Sequence, residues 1–437
     1  MTHTRQSAPW TPPQKLSKAE IVEISNAILA EPDLPFKEYE DIFRIQSNGM
    51  DWDIGNVVYE PDAESVARGP DGKKIGVFMT HGGASDWRSI ETLARGFARK
   101  RGVKVCSMTY PGRFYFPDAS RDWPGDTISA DGRVRTPIWL RGEEIGADQY
   151  HLETDASHRE IYGSRSYAVA KPGSIFYNRM AAFPKAFIDA MKDICARHFP
   201  PDEWTIYVHG HSTGGPFVHT LLQRVSNVNG LIGIENSSFG EFYHEMTGHD
   251  WPTPFNYVLV RTWRELARYK GAELALQEKE KPLFRLAQVM EEIFDQWSDV
   301  RRFPQFKAEN WFHNRTPSCL REAAMVAARN QNLNGRETEA LIEEYLGYGL
   351  PLSGPGVKKI PPILHGINAF SRDHTPENYR TIAGLYARLA DAPKFGVIEL
   401  GTGIHSYWRA EAGLPEGVSP VVVKVWYDAI MGGYYDS

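Results

Sequence analysis

Trp204-Thr-Ile-Tyr-Val-His-Gly-His-Ser-Thr-Gly-Gly-Pro-Phe-Val-His-Thr-Leu-Leu222 begins as a strand and ends as a helix. Thr205 to Val208 are β-prone, and Phe217, Val218, Leu221 and Leu222 are spaced for one helix face. Between them Gly210-His211-Ser212-Thr213-Gly214 fits G-x-S-x-G. The pattern has a mechanical meaning. A strand that turns sharply into a helix lifts its serine hydroxyl clear of a sheet, and the flanking glycines leave room for the close backbone approach. The turn also sets the Thr213 amide at the start of a helix, where developing negative charge is favoured.

Working outward, Lys74 to Thr80 reads as a buried strand running into His81-Gly82-Gly83, followed by a helix over 87–100 and a strand over 103–109. That β-loop-α-β rhythm predicts a parallel sheet with helical crossovers. A glycine at a strand's C-terminal end lets a backbone N–H face substrate, so Gly83 is the second candidate oxyanion donor, beside Thr213. Further strands are expected over 230–235, 362–367 and 395–400, with helices over 178–198, 375–389 and 420–431. Upstream, Ser17 and Glu20 form a capping box for a helix to Ala30. Asn48-Gly49 predicts a hairpin joining strands over 37–48 and 51–60. Residues 1–16 read as a surface arm.

Two stretches break the rhythm. The insert over about 115–176 is rich in Pro, Gly, Asp, Arg and aromatics with no sustained period, and reads as a long loop near the site's mouth. Residues 238–357 show helical spacing over 255–270, 282–297, 318–330 and 336–346 without an intervening strand. The expected fold class is therefore α/β: a mostly parallel central sheet with helices on both faces and a helical cap insertion. The first part of the core is 1–237, the cap or lid 238–357, and the second part of the core 358–437.

A serine hydroxyl needs a base in hydrogen-bond reach and an acid to orient that base. His405, in Gly401-Thr-Gly-Ile-His, follows the last strand and so emerges at the same sheet edge as Ser212. Asp373, after the penultimate strand, is the preferred acid. Glu235, ending the strand after the serine turn, is the alternative. His81 and His211, beside the serine and the glycine loop, are candidate substrate contacts. His209-x-His211 could suggest a metal, but no Asp or Cys cluster joins the pair, and packing or substrate contact is the expected role.

With these residues in place, the chain resembles an α/β-hydrolase-fold enzyme over about 73–237 and 360–432. The resemblance implies Ser212 as nucleophile, His405 as general base, Asp373 as orienting acid, and the Thr213 and Gly83 amides as the oxyanion hole. It implies hydrolysis of a carboxylic ester through an acyl-enzyme, with no cofactor. The abundant aromatics point to a bulky, apolar or aromatic small molecule. Lactone, amide and C–C bond hydrolysis use the same constellation, and a non-catalytic hydrolase-fold binding protein is the reading from another class.

Composition bounds the rest. The chain has 437 residues and a net charge of -6, which leaves no dense basic surface for nucleic acid. No run approaches the length of a membrane span, so no membrane partner is expected. Cys106, Cys195 and Cys319 are odd in number and lack a C-x-x-C, as in a reduced, cytoplasmic protein. A small-molecule substrate is the expected partner, and a homodimer is left open.

Overall fold

The computed structural model describes residues 10–82, 87–112, 138–155, 165–212, 214–236, 320–346, 354–371 and 391–436, with single positions between 348 and 389. Its frame is a nine-stranded sheet. The strands in chain order are β1 (Lys15–Leu16), β2 (Phe36–Ser47), β3 (Met50–Pro61), β4 (Lys74–Thr80), β5 (Lys104–Met108), β8 (Trp204–Gly210), β9 (Val228–Ile234), β10 (Ile363–Phe370) and β11 (Phe395–Ile404). Across the sheet they run β1-β11-β10-β9-β8-β4-β5-β3-β2. Every pairing from β1 to β5 is parallel, and β3 runs antiparallel to both its neighbours. The remaining pair, β6 (Tyr150–Asp155) and β7 (Arg165–Ala170), forms a separate hairpin.

The central strands are largely apolar and buried because both faces are covered. On β4, Ile75, Val77 and Met79 enter one core and Phe78 the other; on β8, Tyr207 enters the first and Ile206 and Val208 the second. Helices α1 (Lys18–Ala30), α2 (Glu91–Arg101) and α7 (Ser419–Met431) lie over the first core. Helices α3 (Ile175–His198) and α4 (Gly214–Arg224) lie over the second. The expected mostly parallel sheet with helices on both faces is what the chain forms.

Local signals were accurate where chemistry was strong. Ser17 and Glu20 complete the capping box of α1. Asn48 and Gly49 both take positive φ, 52° and 70°, as a two-residue hairpin turn needs. The N-terminal arm is a correction: Lys15 and Leu16 pair in parallel with Glu399 and Leu400, and the Trp10 amide bonds the Gly432 carbonyl at 3.0 Å. The insert is another, since within 115–176 the chain forms the β6–β7 hairpin and the first residues of α3. β11 runs on through Gly401-Thr402-Gly403 to Ile404, so His405 leaves a strand directly, with no Gly-rich loop before it.

Of the expected cap helices, α5 (Leu320–Asn330) and α6 (Gly335–Leu346) are seen, and α5 packs on α3. Tyr345 Oη donates to the Ala181 carbonyl at 3.0 Å, and the Asn48 side-chain amide donates to Tyr345 Oη at 2.6 Å. This end of the 238–357 block is thus stitched to the core. The expected helices over 255–270 and 282–297 lie outside the described residues.

Candidate active site

The serine turn is built on close backbone contacts. Gly210 ends β8, and a Cβ there would collide with the Gly214 carbonyl. A Cβ on Gly214 would lie 2.6 Å from the His81 carbonyl oxygen. A Cβ on Gly82 would strike the His211 ring and sit 3.3 Å from Ser212 Cβ. The glycines therefore let the His81-Gly82 loop and the elbow press together. The His211 amide donates to the Thr80 carbonyl at 3.0 Å, which ties the turn to β4.

Ser212 itself takes φ +50°, in the left-handed region. A non-glycine residue there costs on the order of 1–3 kcal/mol and persists only when its surroundings impose it. One constraint is visible: the Ser212 amide donates to the Glu235 carbonyl at 2.6 Å. Glu235 is the residue after β9 and also takes positive φ, 49°. Two consecutive strands of the sheet thus end in paired left-handed turns, one presenting a hydroxyl and the other a carboxylate.

Glu235 is fully buried. Its Oε2 accepts from His405 Nδ1 at 2.8 Å and from Ser371 Oγ at 2.7 Å, and its Oε1 accepts from the Asn368 side-chain amide at 2.9 Å. His405 is 1 % exposed. A carboxylate on Nδ1 fixes that nitrogen as the donor, which leaves Nε2 as the basic atom. His211 Nε2 donates to the His405 carbonyl at 3.0 Å, and the two rings lie 4.6 Å apart. The residue next to the serine therefore touches the histidine from β11, and serine, histidine and glutamate gather at one edge of the sheet. All three stand on one α/β frame, a mostly parallel sheet with helices on both faces.

Of the two candidate acids, the described residues include one. Asp373 lies outside the described residues. Glu235 makes the bond to His405 Nδ1 that the acid's role requires. The available signal was position: Glu235 follows its strand immediately, whereas Asp373 trails the end of its own. Sequence reasoning missed Asn368 and Ser371 altogether. Gly83 and Thr213 also lie outside the described residues; of their neighbours, Gly82 approaches Ser212 closely enough that an added Cβ would lie 3.3 Å from Ser212 Cβ.

The nearby histidines hold the framework. His81 is fully buried and stacks on Tyr110 at 3.9 Å. Its Nε2 accepts from the Tyr110 amide at 3.3 Å, so Nδ1 carries the proton and donates to the Gly82 carbonyl at 2.8 Å. His209 Nδ1 donates to the Ile232 carbonyl at 2.9 Å and Nε2 accepts from Tyr407 Oη at 2.9 Å. Burial drives the His209 pKa down to about 4 against the opposing pull of the Ile232 carbonyl, so this ring is neutral. His209 and His211 thereby anchor the segment 405–407 to the strand and turn that carry Ser212.

No family model and no curated protein matches the chain. Solved structures do. A bacterial heroin esterase aligns with 12 % identity over 95 % of this chain and 94 % of its own, at a TM-score of 0.40. An ester-hydrolase from the metagenome of Lake Arreo aligns with 12 % identity over 96 % and 90 %, also at 0.40. A thermostable esterase from Pseudomonas putida aligns with 14 % identity over 98 % and 91 %, at 0.35.

Proposed function

We propose that this chain is a serine hydrolase that cleaves a carboxylic ester of a bulky, apolar or aromatic small molecule, with Ser212 as nucleophile, His405 as general base and Glu235 as the orienting acid. The observation that carries the reading is the buried 2.8 Å bond from His405 Nδ1 to Glu235, at the edge where Ser212 is held at φ +50°. His405 Nε2 takes the hydroxyl proton as Oγ attacks the ester carbonyl. The oxyanion is received by the Thr213 and Gly83 amides, a role supported by the contact of Gly82 with Ser212. His405 then protonates the departing alkoxide, and a water activated by the same imidazole releases the acid. Glu235 stays ionised throughout and stabilises the imidazolium.

The block 238–357 is the cap in this proposal, and its residues 238–319 lie outside the described residues. Cys106 and Cys195 are buried free thiols, which supports a reducing, cytoplasmic setting. The test is covalent labelling with a fluorophosphonate together with turnover of p-nitrophenyl esters of increasing acyl bulk. Wild type is expected to label and turn over, and Ser212→Ala to do neither. A wild-type protein that neither labels nor cleaves any ester, lactone or amide offered is a binding protein and not a hydrolase.

A further inference from the structure

The end of β10 is where the sequence led us to look for the acid, and it carries something else. Asn368 and Ser371 both reach Glu235, one on each carboxylate oxygen, at 2.9 and 2.7 Å. Asn368 is 2 % exposed and Ser371 3 %. The same Asn368 side-chain amide donates to the Ile404 carbonyl at 2.9 Å, one residue before His405. Its two hydrogens therefore bridge the acid and the strand that delivers the base. The Ser371 amide donates to the Asn368 carbonyl at 3.1 Å, which closes the turn that sets the hydroxyl. Gly403, at φ +92°, makes room: a Cβ there would run into the Asn368 side chain.

We propose that Asn368 and Ser371 are positioning residues that clamp the Glu235 carboxylate, holding it ionised and directing one oxygen at His405 Nδ1. The proposal rests on the triad reading above and adds to it a division of labour between strands. β9 supplies the charge, and β10 supplies the donors that orient it. A buried carboxylate with one partner is poorly satisfied, since it offers about four lone-pair sites. Donors to the charged form offset its desolvation and keep it an anion. Asn368 ties this geometry to β11, so acid and base move as one unit.

The sign of the effect follows. Removing a donor leaves the Glu235 charge less satisfied, and protons bind the acid–base pair more readily. The acidic limb of activity then moves up in pH, because the working state needs the pair without its extra proton. Asn368→Asp acts in the same direction by setting a second carboxylate beside the first.

The experiment follows the rate of fluorophosphonate labelling of Ser212, in which fluoride leaves phosphorus, from pH 5 to 9. It compares wild type, Ser371→Ala, Ser371→Thr, Asn368→Asp and Ser212→Ala. Ser371→Ala deletes one oxygen and Asn368→Asp exchanges one side-chain nitrogen for oxygen, and thermal unfolding verifies that each is folded. The expected result is an acidic limb displaced upward by about one pH unit in Ser371→Ala and Asn368→Asp. Labelling at pH 6 then falls about tenfold, and Ser371→Thr returns both toward wild type. Variants that label slowly but with the wild-type pH profile, or a Ser371→Thr no better than Ser371→Ala, overturn the clamp and leave the hydrolase reading standing. Wild type that does not label at all, or Ser212→Ala that labels equally, overturns both.

Discussion

At the residue scale the decisive contact is a single carboxylate oxygen against a single ring nitrogen. On the proposed reading, Ser212 and His405 stand out in the sequence because each sits in a patterned stretch: a glycine-flanked serine between a strand and a helix, and a histidine just past the last strand. The acid was not legible in that way. Asp373 and Glu235 both follow strands that end at the same edge, and it is Glu235, at positive φ, whose bond to His405 is seen among the described residues. Backbone dihedrals of this kind leave little trace in composition, because glutamate is an unusual occupant of the left-handed region. Glu235→Gln is therefore expected to lower kcat by roughly 10³–10⁴, since an amide nitrogen facing Nδ1 favours the wrong imidazole tautomer. Asp373→Asn is expected to stay within a few-fold of wild type. Turnover of one p-nitrophenyl ester by both variants decides it, and the reverse ranking returns the role to Asp373.

At the scale of elements, the readable parts were those with local chemistry: the capping box of α1, the Asn48-Gly49 turn and the buried strands β4 and β8. The hairpin β6–β7 escaped because its strands are six residues each inside a long irregular stretch, too short for a period to stand out. β1 escaped because two residues carry no pattern; its pairing with β11 is a tertiary fact. The elbow joins β8 to α4 through backbone contacts with no slack. Gly210→Ala would drive a methyl into the Gly214 carbonyl, which no flexible side chain can yield to. A loss of about 2–3 kcal/mol is expected, as for other overpacked sites. Urea unfolding of Gly210→Ala measures it, and a midpoint equal to that of wild type contradicts the close approach.

For the whole molecule, burial of imidazole couples stability to pH. His209 is fully buried with its pKa at about 4, and burial takes His219 down to about 3. In the unfolded chain both titrate near 6.5, so below that pH the unfolded state binds more protons. Their contribution is intact above about pH 6.5 and is lost as pH falls through that value toward the folded ones. For His209 the loss is roughly 2–3 kcal/mol by pH 4.5. Urea midpoints at pH 7 and 4.5 are expected to separate in wild type and to draw closer in His209→Gln. Equal separations in the two proteins would remove His209 from the account.

The order in which the strands enter the sheet has a consequence for the protein's birth. β9 leaves the ribosome some 170 residues ahead of His405, and β8 earlier still, so a half-made chain can display the hydroxyl and its carboxylate with no base between them. Lys15 and Leu16, made long before β11, wait for it to arrive beside them. On the function proposed above, a nascent chain stays inert until that late strand docks and brings His405 to Glu235.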